Sequence, residues 1–248
     1  MRLAVAILSS ILTLALGSGA LRAEQVDLQL VLAADVSRSI DNDEFQLQRE
    51  GIAAALQNPE VLRAIRSGPL GVVAVSFVEW SGTGEQNVVV DWSLIRDEEG
   101  AGIVGEQVLK APRSFIGRTS ISEAIDFSAR LFETSGMTST RKVIDVSGDG
   151  TNNSGRPILE ARDEAVARGI VINGLAIINL NPNFGYLAHT QPPGGLPNYY
   201  RDNVIGGPGS FVLQIEDFHS FAQAMVQKLV QEISAAPGKP RSDLATRH

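Results

Sequence analysis

Five oxygen-bearing side chains in three separated fragments stand out by type and spacing. Asp35, Ser37 and Ser39 alternate in Asp35-Val36-Ser37-Arg38-Ser39, Thr119 sits in Gly117-Arg118-Thr119-Ser120, and Asp149 sits in Ser147-Gly148-Asp149-Gly150. Two carboxylates and three hydroxyls are hard donors, suited to a hard divalent cation; magnesium takes six oxygens at about 2.1 Å and keeps several waters. Two acidic charges balance the ion, and neutral hydroxyls donate only weakly. The ion therefore stays electrophilic and can accept one more carboxylate from outside. The expected cofactor is magnesium, with manganese or calcium as alternatives. The expected partner is a protein or acidic ligand that supplies the missing carboxylate.

These fragments can meet only if the chain folds so that three loops converge. Residues 28–34 are apolar apart from Gln29 and end at Asp35; such an unbroken run suits a strand buried on both faces, as in a parallel sheet. Asp41 with Glu44 three residues on opens a helix with a capping-box pattern, and Asn58-Pro59 stops it. A short helical turn is expected over 60–66. Further strands are read at 70–78, 87–92, 142–147, 170–178 and 211–215, and helices at 97–109, 121–132, 157–168 and 218–233. The alternation predicts a doubly wound, mostly parallel six-stranded α/β sheet with helices on both faces. The expected strand order is 3-2-1-4-5-6, with the third strand antiparallel in a hairpin. In such sheets ligands bind where strand order reverses, at strand C-termini, and the first and fourth strands meet there. Asp35 and Asp149 end those two strands, and Thr119 precedes a helix beside them.

The N-terminus points to export. Met1-Arg2 is followed by an apolar stretch from 3 to 16 and small residues up to Ala23, the layout of a secretory signal peptide. The stretch is short of the about 20 residues a permanent span needs. Cleavage after Ala23 is expected, with Ala20 as the alternative, so 1–23 reads as signal peptide, 24–235 as the domain and 236–248 as a disordered tail. Periplasmic or secreted localisation follows, with membrane attachment only through an uncleaved signal. Removing 1–23 takes away Arg2 and Arg22 and no acid, moving the net charge from −7 to −9. An acidic chain without basic clusters argues against nucleic acid. The absence of cysteine excludes disulfides, thiol catalysis, zinc–thiolate and iron–sulfur sites.

The three fragments resemble the von Willebrand factor A family, whose metal-ion-dependent adhesion site is written D-x-S-x-S, then a distant Thr, then a distant Asp-Gly. The resemblance spans the whole mature chain. It implies a Rossmann-like fold, a divalent metal held by Asp35, Ser37, Ser39, Thr119 and Asp149, and a binding module rather than an enzyme. Asp35-Val36-Ser37-Arg38-Ser39-Ile40, Gly148-Asp149-Gly150-Thr151-Asn152-Asn153 and Tyr199-Tyr200-Arg201-Asp202-Asn203-Val204-Ile205-Gly206-Gly207 look like a group of exported bacterial members labelled as a domain of unknown function. Arg118 is a departure, since many relatives carry a second glycine before the threonine; a cation there could repel the metal or hold an acidic ligand.

Alternative roles remain for several residues. The chain also resembles the magnesium-dependent phosphohydrolases of haloacid dehalogenase type, offering Asp35, Thr119, Lys142 and the Gly148–Asp149 loop. That family wants a second carboxylate two residues after the first, where Ser37 stands, and Asn153 replaces its last acid; without the proton donor, leaving-group protonation loses its usual agent. A third possibility is a scaffold in which the metal serves stability alone. Thr119 competes with Ser120 for a helix cap. Asp145, inside a buried strand, requires a partner that the sequence does not name. His219 reads as surface or cap, and Glu79 and Trp80 as packing. The connection 179–209 is long for a compact domain. Phe184, Tyr186 and His189 within it, with Arg118, are candidate partner-binding residues, and 199–205 is a candidate short helix.

Overall fold

The computed structural model describes residues 23–178 and 192–235. Within them a six-stranded sheet is built from β2 (Leu28–Asp35), β3 (Val73–Trp80), β4 (Gln86–Ile95), β6 (Lys142–Gly148), β7 (Ile170–Ile177) and β8 (Val212–Ile215). Its order is β4-β3-β2-β6-β7-β8, with every neighbour parallel except the β3–β4 hairpin. This is the expected order and direction. All eight residues of β2 and of β3 are buried, which is why apolar residues predominate on both faces of each strand.

Helices cover both faces. One face carries α1 (Asn42–Leu56), α2 (Pro59–Arg66), α3 (Glu98–Lys110) and α7 (Phe221–Ser234), whose Ile52, Leu62, Val104 and Leu229 pack with Leu30, Leu32 and Val75. The other carries α4 (Ile121–Thr134), α5 (Ile158–Ala167), α6 (Leu196–Tyr199) and a π-turn at Tyr200–Val204, whose Ile125, Ala161 and Tyr200 pack with Val31, Ala33 and Ile144. The chain leaves β2 toward the first face and β6 toward the second, so the switch point lies between these adjacent strands. The capping box at the start of α1 is formed in both directions, Glu44 N–H to Asp41 Oδ1 at 2.8 Å and Asp41 N–H to Glu44 Oε2 at 2.9 Å.

Several element boundaries differ from expectation, each for a local reason. The second sheet strand starts at Val73 instead of 70, because the Asp27 carboxylate takes the N–H groups of Leu70 and Val72 and Gly71 turns at φ +65°. The last helix is preceded by a 3₁₀ turn, Phe218–Ser220, capped by Asp217, and His219 in that turn is exposed. The segment 199–205 is the end of α6 continued by the π-turn. A two-stranded parallel sheet of β1 (Glu24–Val26) and β5 (Met137–Ser139) is an addition. Residues 1–22, 179–191 and 236–248 lie outside the described residues. So do the expected apolar signal segment, the tail, and Phe184, Tyr186 and His189.

Several buried polar groups in the sheet are paired. Gln29, which interrupts the β2 run, donates to Ser135 Oγ at 2.8 Å and accepts from Ser139 Oγ at 3.0 Å. Asp145 meets Lys228 of α7, Oδ1 to Nζ at 2.9 Å, and Lys228 also reaches Glu232 at 2.6 Å. Asn173, beside Asp145 on β7, donates to Glu232 Oε1 at 2.9 Å and accepts the Phe211 N–H at 3.1 Å. Glu79 is a buried ion-pair partner of Arg49 rather than a packing residue.

Candidate metal centre

The first loop leaves β2 directly. Val36 N–H still pairs with Trp80 O at 2.9 Å, then Ser37 N–H turns back onto Asp35 Oδ1 at 2.7 Å. Ile40 N–H bonds Ser37 O, closing a tight turn that runs into the capped start of α1. Three carbonyls of this loop, those of Val36, Ser37 and Ile40, accept from one Arg113 nitrogen at 2.8, 2.9 and 2.8 Å. Turning carbonyls toward Arg113 leaves the side-chain oxygens to face the other loops.

The second loop, 111–120, is held by buried charge. Arg49 pairs with Glu79 and donates to the carbonyls of Val108, Ala111 and Pro112, while Glu79 Oε2 accepts the Ser114 N–H at 2.9 Å. Gly117 allows close passage over the β3–β4 turn, where a Cβ would collide with the Glu85 carboxylate and Ser81 Oγ. Arg38 N–H to Gly117 O at 3.1 Å ties the first loop to the second.

The third loop follows β6 and is stitched to the second by its asparagines. Asn153 Oδ1 accepts the Thr119 N–H at 3.1 Å, and the Asn153 N–H returns to Thr119 O at 2.9 Å. Asn152 Oδ1 accepts the Ser122 N–H at 2.9 Å. Ser120 is the N-cap of α4, without a side-chain capping bond. Thr119 is left to face the cluster.

The structure brings together all five residues singled out by sequence. Ser39 Oγ donates to Asp149 Oδ1 at 2.8 Å, Ser37 and Ser39 hydroxyls are 3.0 Å apart, and Thr119 Oγ1 lies 3.5 Å from Ser37 Oγ. Asp35, Ser37, Thr119 and Asp149 are buried, and Ser39 is half-buried. Asp35 Oδ2 is buried with no hydrogen-bond partner. Burial, and then the negative charge of Asp149, push the Asp35 carboxyl well above its ordinary range; Ser37 and Arg113 pull it down only in part. Two buried carboxylates with neutral hydroxyls between them, one carboxylate oxygen unserved, fit a divalent ion. Among the described residues no cluster of three His, Cys, Asp or Glu could hold a metal, so any ion here would rely on the hydroxyls.

Arg118 is at the rim, exposed, its guanidinium on Asn153 O at 3.0 Å. Sequence reasoning missed Arg38, also exposed on the rim, and the exposed Ile116. It also missed Arg49 and Arg113, whose roles depend on carbonyls of distant loops and leave no local signal. Lys142 lies at the start of β6, the end of the strand away from Asp149, with its ammonium 5.9 Å from the centre of the Phe132 ring.

The fold has solved counterparts. Proximal thread matrix protein 1 from the mussel byssus, in a structure described as having a zinc-occupied MIDAS motif, aligns with a TM-score of 0.58 at 14% identity, covering 85% of this chain and 49% of that one. A von Willebrand factor type A protein from Catenulispora acidiphila aligns at TM-score 0.56 and 15% identity over 84% of this chain and 43% of that one. An aerotolerance-related membrane protein from Bacteroides fragilis aligns at TM-score 0.51 and 17% identity over 83% of this chain and 98% of that one. The chain thus spans about half the length of the mussel protein. No curated protein matches in sequence. The model of one family, described as protein of unknown function DUF1194, matches residues 25–237. The chain belongs to that family, and its fold is that of a von Willebrand factor A-like domain.

Proposed function

We propose that the chain is a divalent-cation-dependent binding module, with the ion held by Asp35, Ser37, Ser39, Thr119 and Asp149 and completed by a carboxylate of the partner. The observation that carries this reading is the continuous set of oxygens from three loops, Asp149 to Ser39 to Ser37 to Thr119, beside the unpartnered Asp35 Oδ2. Magnesium is the first choice of ion, with manganese and calcium able to use the same oxygens. The solved counterparts support the reading: one is described as zinc-occupied at this motif, and another is a pilus adhesin from Lactobacillus rhamnosus GG.

The rim favours an acidic partner. Arg38 and Arg118 are exposed on the first two loops, and Ile116, 70% exposed, offers an apolar contact next to them. An acid placed on the ion would gain from both guanidinium groups, which suit carboxylates through paired N–H donors. Export is part of the proposal, resting on the apolar N-terminal stretch; among the described residues no helix is long and apolar enough to cross a membrane.

A catalytic reading is less well supported. Ser37 stands where a phosphohydrolase would need its proton donor, and Lys142 is at the wrong end of β6 to serve a phosphate near Asp149. Affinity capture from an envelope fraction, with magnesium or with chelator, tests the binding role. The expected outcome is a partner retained by the wild type with magnesium and lost both with chelator and with Asp35→Ala. Retention that ignores chelator contradicts the proposal, and metal-dependent melting with nothing captured favours the scaffold role.

A further inference from the structure

Tyr200 is fully buried in the π-turn that follows α6, with its ring on the core. A Cβ on Gly174 would come within 2.7 Å of its Cδ1, so the ring fills the space that glycine leaves over β7. Packing accounts for the ring and not for the hydroxyl, which is buried without a hydrogen-bond partner. A phenylalanine would fill the same space without burying an unserved polar group, which is costly.

The hydroxyl has an address. The point where a Cβ on Gly148 would sit is 2.9 Å from Tyr200 Oη and 3.0 Å from Asp35 Oδ2. Glycine at 148 thus keeps open a place flanked by a buried donor and a buried acceptor, neither of them otherwise served. The adjacent Tyr199 is tied to the same region, its hydroxyl accepting the Asn152 N–H of the third loop at 3.1 Å. The Tyr199-Tyr200 pair therefore underlies the metal centre from the α5 face of the sheet, as a fourth segment beside the three loops.

Building on the metal-site reading above, we propose that Tyr200 is a positioning residue of that centre: its hydroxyl serves Asp35 Oδ2 in the loaded site. Metal-binding groups are oriented by such outer hydrogen bonds, whose loss typically weakens binding about 10–100-fold. The donor would hold the Asp35 carboxylate in its ionised form and in one rotamer, the state a cation requires.

Tyr200→Phe, Asp35→Ala and the wild type, each as the full chain, are to be titrated with manganese and with magnesium by calorimetry and melted in chelator. Near-ultraviolet tyrosine absorbance is followed during each titration. The expected result for Tyr200→Phe is a melting temperature in chelator equal to or above that of the wild type, with metal affinity weakened about tenfold or more. The wild type is expected to show a tyrosine difference signal on metal addition that Tyr200→Phe lacks. Affinity within twofold of the wild type, or a melting temperature in chelator several degrees below it, overturns the role of Tyr200 while leaving the metal site standing. A wild type that binds neither ion, and so matches Asp35→Ala, overturns the metal site and the role of Tyr200 together.

Discussion

The chemistry of the centre rests on a conflict between two carboxyl groups. Asp35 is buried near Asp149, and its pKa is raised by that burial and by that charge. A proton or a cation can relieve the repulsion, and the two compete for one site. The sign follows directly: as pH falls through the raised pKa of Asp35, the proton wins and apparent metal affinity drops. Calorimetric titrations at several pH values are expected to show affinity increasing with pH and protons released on binding. An affinity independent of pH across the acidic range would contradict this. Ser39→Ala removes both a hydroxyl donor and the 2.8 Å bond to Asp149, so affinity is expected to fall while the fold persists, as seen by circular dichroism. The charge partners under the second loop behave differently. Glu79→Ala leaves Arg49 buried without its acid, with an expected cost of about 3–5 kcal/mol in denaturant unfolding.

At the scale of elements, the helix α7 is locked to the sheet by Lys228 between Asp145 and Glu232. The Asp145 carboxyl is pushed up to about 7, first by burial and then by Glu232, with Lys228 offsetting part of it. In the unfolded chain an aspartate ionises near 3.9. Between those values the folded state binds more protons, so the Asp145 contribution to stability declines as pH rises from about 4 to about 7. Asp145→Asn is expected to flatten the pH dependence of unfolding free energy in that window; an unchanged slope would refute the assignment. The sheet order was legible because the strands are long apolar runs and the loop fragments sit at their ends. What escaped sequence reading has physical causes. β1 and β5 are three residues each, too short for any periodicity. The partner of Asp145 lies on an amphipathic helix far along the chain, where Lys228 looks like an ordinary surface charge. The Tyr199-Tyr200 stretch was legible as part of the family resemblance, but the place of the Tyr200 hydroxyl was not, because only the π-turn brings it against Gly148.

For the molecule as a whole, the sheet topology gathers the site and gives it a direction. The ends of β2 and β6 are neighbours, Ala34 opposite Ser147, and the following loops rise on opposite faces before converging. On a chain of net charge −7, the exposed Arg38 and Arg118 place two positive charges beside the centre. A cation held by the three loops would bind the folded chain alone and so would stabilise it, by about 2.7 kcal/mol at a hundredfold excess over its dissociation constant. The most direct test of the account is a manganese titration of the wild type and Asp35→Ala, with circular dichroism to establish that both are folded. One ion per wild-type chain is expected, and none on folded Asp35→Ala. Wild-type affinity in that variant, or a folded wild type that takes up no divalent ion, would contradict it.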